Sequence, residues 1–282
     1  MKKPQWITLI AGLALVIVLY VFGRTFQEKK TGAVNTNPNE LTADTILAEA
    51  KSHLPAQQQT YLKSLEESVK RGNVKEQQLE VYHQLAHFWK DSARYFEPYA
   101  WYEAEAARLE NSEKSLTFAA HLFLENLRQE SNPALLRWKA LQAKDLFERS
   151  LKINPANDST IVGLGACYIF GNISETPMEG IEKVKAVADK DSTNLFAQET
   201  LGYGSILSGQ YDKAIARFET VYRLTENETQ KLKAILVIAD AFEKKDDAGK
   251  AIDWYKRSLP LIPKNDFKAA VQQRIDDLSK KN

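Results

Sequence analysis

The sequence predicts an all-α solenoid of antiparallel helix pairs, preceded by a single transmembrane helix. Three observations predict it. First, residues 195–228 read as two helices of similar length: Leu201-Gly202 lies in the first, Gly209-Gln210-Tyr211 makes the turn, and Ala214 with Phe218 lies in the second. A hairpin of this size cannot bury its apolar faces alone, so neighbours must stack on it. Second, the same order of small and aromatic residues recurs along the chain in register. Third, an apolar run broken by one threonine stands near the N-terminus, long enough to cross a bilayer as a helix.

Composition agrees. Ala, Leu, Lys, Glu and Gln dominate, and only 12 glycines and 9 prolines interrupt them, which favours helix. The 282 residues allow one or two globular domains. The net charge of +1, from 38 basic and 37 acidic residues, gives no electrostatic footprint for nucleic acid. The single cysteine, Cys167, excludes an internal disulfide and any cysteine-rich metal centre.

Residues 1–24 form the expected anchor. Lys2 and Lys3 precede an apolar run over 6–22 broken only by Thr8, and Pro4 and Gly23 extend it to about twenty residues, enough for a span. Trp6 and Tyr20 lie near its ends, where amphipathic rings prefer the interface. A cleaved secretory signal is the alternative, but it needs small residues after the apolar core. The chain offers Tyr-Val-Phe-Gly-Arg-Thr-Phe there, so an uncleaved anchor is expected. The lysines before the run place the N-terminus in the cytoplasm and the body outside it, periplasmic or otherwise extracytoplasmic. Residues 25–40 are polar, with Asn-Thr-Asn-Pro-Asn, and read as a flexible linker.

Residues 41–78 read as an N-terminal helical cap or degenerate repeat. Pro55 separates two helical pieces, Leu62, Leu65 and Val69 share a face, and Gly72-Asn73 ends the second piece. Residues 79–265 carry about five helix pairs. Leu85-Ala86 with Trp89, then Ala100, Ala104 and Ala107, mark the first; Ala119-Ala120 with Phe123, then Ala143, Phe147 and Ser150, mark the second. Its second helix is lengthened after Asn132-Pro133. Leu164-Gly165 and Tyr168, then Gly180, Val184 and Val187, mark the third. Residues 195–228 hold the fourth, and Ile238-Ala239 with Phe242, then Ala251, Tyr255 and Ser258, mark the fifth. Residues 266–282 form a capping helix with Phe267, Ala270, Val271, Ile275 and Leu278 on one stripe.

Leu-Gly, then Gly-x-Tyr, then alanine and an aromatic four apart resemble the tetratricopeptide repeat (TPR). Gly180 and Ala214 stand one 34-residue repeat apart. The anchored layout is similar to bacterial envelope TPR proteins, including translocon-accessory and cytochrome c-biogenesis subunits. The resemblance implies a right-handed superhelix whose first helices line a concave groove for a partner peptide or helix. By position it puts on that groove His83 and His87, Thr117 and His121, Val162 and Ala166, Glu199 and Tyr203, and Leu236 and Asp240, flanked by Phe196, Ile206, Ile169 and Leu124. The middle of the groove is then apolar and aromatic and its C-terminal end acidic, which suits an amphipathic helix or an extended peptide. The same apolar residues would also serve plain packing between repeats. The carboxylate clamp of TPR co-chaperones is absent, because its early positions hold His83, His87, Thr117 and His121.

Three of the four histidines fall on these positions. His83 and His87, four apart on one helix face, have the spacing that lets two imidazoles share a metal, and His121 takes the equivalent place in the next unit. Metal binding, a pH-sensitive partner contact and ordinary hydrogen bonding are the three readings of this set. No nucleophile elbow, phosphate loop or His-Glu-x-x-His motif occurs. Gly163-x-Gly165 lies inside a repeat helix and reads as helix packing, and Cys167 as a buried small apolar residue. No cofactor and no catalytic residue are expected. The function expected is a non-catalytic, membrane-anchored interaction scaffold or assembly factor, with a metal- or pH-responsive histidine module as the alternative.

Overall fold

The computed structural model describes residues 41–71, 74–173 and 177–281. The expected anchor, the linker and the Gly72-Asn73 stop lie outside the described residues. Among the described residues every regular element is helical, and no helix is long and apolar enough to cross a membrane.

The described residues form thirteen α-helices: α1 (Ala43–Ser52), α2 (Ala56–Arg71), α3 (Lys75–His87), α4 (Phe96–Glu110), α5 (Glu113–Leu127), α6 (Pro133–Ile153), α7 (Asp158–Phe170), α8 (Met178–Lys190), α9 (Leu195–Leu207), α10 (Tyr211–Leu224), α11 (Glu228–Lys244), α12 (Ala248–Ser258) and α13 (Asn265–Lys281). The pairs α3–α4, α5–α6, α7–α8, α9–α10 and α11–α12 are the five expected units, and each packs mainly on its neighbours in sequence. The start signals are local. Asn132, Asn157, Asn194 and Asn227 cap α6, α7, α9 and α11, their side chains accepting from backbone N–H groups of the first turn. Gly209, at φ +70°, supplies the left-handed residue that the α9–α10 turn requires.

The register residues are the interior. Leu85, Ala86, Trp89, Ala119, Ala120, Phe123, Ala143, Phe147, Ala214, Phe218, Ile238, Ala239 and Ala251 are all fully buried. They form overlapping clusters along the chain rather than one centre, as a solenoid demands. Each buried phenylalanine is worth about 1.5–3 kcal/mol of transfer free energy. The glycines of the pattern do two different jobs. Gly163 and Gly202 leave room for the rings of Phe147 and Phe218, because an added Cβ would stand 2.3 and 2.6 Å from ring carbons. Gly165 and Gly180 instead let backbones meet, since a Cβ on Gly180 would lie 2.4 Å from the Gly165 carbonyl oxygen.

Several features go beyond the repeat pattern. The chain passes from α3 to α4 through a π-turn over Phe88–Ala93, in which the Arg94 N–H donates to the Trp89 carbonyl. Trp89 is fully buried there, and its indole N–H has no hydrogen-bond partner among the described residues. The lengthened α6 carries Lys139, 4% exposed, whose ammonium pairs with Glu97 of α4 at 2.9 Å and with Glu130 at 2.7 Å. Burial pulls this ammonium down, but the hydrogen bonds it donates to Glu130 and Glu97 outweigh that and hold Lys139 above its usual range. The capping stripe is narrower than expected. Val271, Ile275 and Leu278 are buried, whereas Phe267 and Ala270 face solvent, because only α12 and the turn after it cover α13.

Candidate functional site

First helices of four units, α5, α7, α9 and α11, line one cavity of about 490 Å³. From α5 and its end come His121, Glu125 and Arg128; from α7, Ala166 and Phe170; from α9, Phe196, Glu199 and Tyr203; from α11, Lys233. The α9 contributors recur at three, four and seven residues, so one helix face supplies them. A second cavity of about 360 Å³ adjoins it, sharing Arg128, Phe170 and Tyr203 and adding Leu127, Leu136, Ile206 and Leu207. Leu207 is 68% exposed, an apolar lip on this cleft.

The aromatic floor is tightly set. The His121 ring meets Phe147 edge-on at 5.3 Å and Phe196 at 5.6 Å, and its Nε2 lies 3.4 Å from the Ser159 hydroxyl. Burial holds the His121 imidazole below its ordinary pKa, and the nearby Glu125 carboxylate acts against that shift. Tyr203 meets Phe218 edge-on at 4.8 Å, and the Arg128 guanidinium lies over its ring, 3.6 Å from the centroid. Burial pushes the Tyr203 hydroxyl up, and Arg128 opposes it. Glu199 accepts a hydrogen bond from the Gln230 amide at 2.9 Å. Among the described residues neither Glu125 nor Lys233 has a hydrogen-bond or ion-pair partner. The cleft thus offers buried aromatic surface, an apolar annexe, and charges of both signs that no salt bridge among the described residues pairs. Cys167 lies in α7 but is fully buried, and burial pushes its thiol far up, so it supplies no thiolate here.

Of the residues placed on the groove by position, His121, Leu124, Ala166, Phe196, Glu199 and Tyr203 come together in the main cavity and Ile206 in the annexe. The others do not join them. Val162 is fully buried and packs with Val184, Ala197 and Leu201. Ile169 faces a different cavity, and its successor Phe170 lines the cleft instead. Asp240 stands 3.6 Å from Lys244, and Lys233 supplies a cation to the cleft, so the expected acidic end is not acidic. Thr117 turns to a buried hydroxyl cluster, 2.9 Å from Ser150. The histidine set separates as well. His83 lies 3.7 Å from Glu103 of α4, and exposed His87 lies 3.3 Å from Asp91, while His121 sits among aromatic rings. Among the described residues no group of three or more His, Cys, Asp or Glu is placed to hold a metal ion. Arg128, Phe170 and Lys233 were missed. Arg128, just past the end of α5, falls two helical turns after His121, at a spacing of seven, and that signal could have found it.

No protein-family model and no curated protein sequence matches the chain. Among solved structures it bears a distant likeness to MamA, 14% identical over 65% of this chain and 91% of that one, with a TM-score of 0.44. YrrB, described as a TPR protein with an unusual peptide-binding site, is 13% identical over 75% and 99%, with a TM-score of 0.44. A thermophilic TPR protein of Thermus thermophilus is 16% identical over 73% and 98%, with a TM-score of 0.39. At these values they speak to neither partner nor chemistry.

Proposed function

We propose that the chain is a non-catalytic interaction scaffold or assembly factor that captures a partner peptide or helix in the cleft of α5, α7, α9 and α11. The observation that carries this reading is the cleft itself: three successive units deliver aromatic and apolar side chains to one surface and a fourth adds Lys233, which like Glu125 has no hydrogen-bond or ion-pair partner among the described residues. An apolar groove with few polar groups at its edge fits an amphipathic or extended segment, whose side chains displace water from the floor. Residues 1–24 anchor the body to the membrane of a bacterial envelope, N-terminus inside and repeats outside. Anchoring raises the effective concentration of the cleft for partners in the same membrane.

A photo-reactive phenylalanine analogue placed at Phe196 tests this in native membranes. It should give a discrete protein adduct that is lost on Tyr203→Ala, while the same group at exposed Phe267 gives none. Equal adducts from both positions sink the cleft reading. Reporter fusions at the C-terminus test the topology.

A second reading rests on His121. Protonation would place a cation among the rings of Phe147 and Phe196, so partner release in acid belongs to the same site.

A further inference from the structure

A cavity of about 610 Å³ opens between α8 and α10, floored by α9. It lies on the side of α9 away from the cleft: Gln198, Leu201 and Ser205 line it, whereas Phe196, Glu199 and Tyr203 line the cleft. Its volume falls within the roughly 300–1,000 Å³ of ligand sites. Ile169, Ile181 and Leu201 make an apolar floor. Gly204 and Ala216 keep it open by having little or no side chain.

The charges around it are of one sign. Lys185 stands on α8, and Lys213 and Arg217 stand one turn apart on the facing side of α10. Among the described residues Lys213 donates only to the Gln210 amide oxygen, at 2.6 Å, and Arg217 only to that of Gln198, at 2.8 Å. Lys185 has no hydrogen-bond or ion-pair partner among the described residues. Elsewhere the guanidinium groups of Arg108 and Arg149 each meet the Asp145 carboxylate at 2.9 Å. Arg217 is half-buried and meets a neutral amide instead, so its charge is left for an anion from outside.

We propose that this cavity docks an acidic peptide segment bearing an apolar side chain, a second partner site independent of the cleft. Charge complementarity selects the occupant: three cations and no carboxylate line the cavity. Their arrangement selects a peptide over a lone phosphate. The cations stand on two helices and a turn apart, which suits a row of carboxylates, and the apolar floor takes a leucine or phenylalanine between them.

The test is fluorescence anisotropy of the full-length chain with a rhodamine-labelled peptide, blocked at both termini, that alternates glutamate with leucine and phenylalanine. Saturable binding should weaken at least about tenfold from low to high salt, as exposed ion pairs do when screened. It should weaken at least about tenfold in the double variant Lys185→Glu/Lys213→Glu, whose two positions are exposed and whose fold is checked by circular dichroism. Ala216→Trp, which fills the cavity without touching its charges, should abolish it. Phe196→Ala in the cleft should leave it unchanged, which separates a failure here from a failure of the cleft reading. Absence of saturable binding, binding that survives both cavity variants, or competition by inorganic pyrophosphate or by vesicles of anionic lipid equal to that of unlabelled peptide overturns the proposal.

Discussion

Replacing Gly180 by alanine should destabilise the protein, although alanine is the better helix former. Propensity alone favours alanine by about 0.8–1 kcal/mol inside a helix. The new methyl group would stand 2.4 Å from the Gly165 carbonyl oxygen and 2.7 Å from Tyr168 Cβ, and neither can swing away, because both belong to α7 backbone or its first side-chain atom. α8 must therefore lift off α7, at an overpacking cost of about 1–3 kcal/mol and occasionally more. The net expectation is a loss of up to about 2 kcal/mol, a fall in Tm of a few degrees for a chain of this size. Gly204→Ala is the internal control. Its Cβ would meet only Ile169 Cγ2, at 3.4 Å, so propensity wins and the variant should gain about 0.5–1 kcal/mol. Urea unfolding followed by circular dichroism reads both. A Gly180→Ala midpoint at or above that of the parent, or a Gly204→Ala midpoint below it, refutes the close-approach argument.

Removing the Lys139 ammonium strands Glu97 and Glu130, so Lys139→Ala should cost about 3–5 kcal/mol by urea unfolding, and Lys139→Met combined with Glu97→Gln and Glu130→Gln should recover most of it. Because the folded pKa of His121 lies below its unfolded value, the unfolded chain takes up the proton first; stability should be full above about pH 6.5 and fall as pH drops below it, with a shallower fall in His121→Phe. Thermal melts between neutral and mildly acidic pH check this, and identical slopes in parent and variant count against it. Zinc titration by calorimetry should show no stoichiometric uptake through His83 and His87, whose rings turn to different acids; micromolar binding lost in His87→Ala would restore the metal reading.

The helix pairs were legible because their determinants are local. Small and aromatic residues recur at the repeat length, and asparagine caps fall where first helices begin. The cleft was half legible. Glu199, Tyr203 and His121 follow directly from the register of the first helices. Val162 and Ile169 misled because α7 is apolar on every side and lies between α5 and α9, so register alone cannot say which face reaches solvent. Phe170 lies one residue beyond the repeat pattern, and Arg128 enters from the end of α5. The histidine pair misled for a different reason: shared spacing fixes where Cβ atoms point, while the acids on α4 and in the π-turn decide where the rings go.

The cleft draws on four units in series, each braced by its neighbours in sequence. Its width is therefore a sum of small joint angles, and its compliance is that of the softest joint. The α7–α8 joint is stiff, because backbone presses on backbone at Gly165 and Gly180. Bending must then concentrate where first helices meet across units, at α5–α7 and α7–α9. A partner spanning from His121 to Lys233 would act as a splint across both, so occupancy and stiffness rise together, and a pull along the solenoid would loosen its grip before any helix melts.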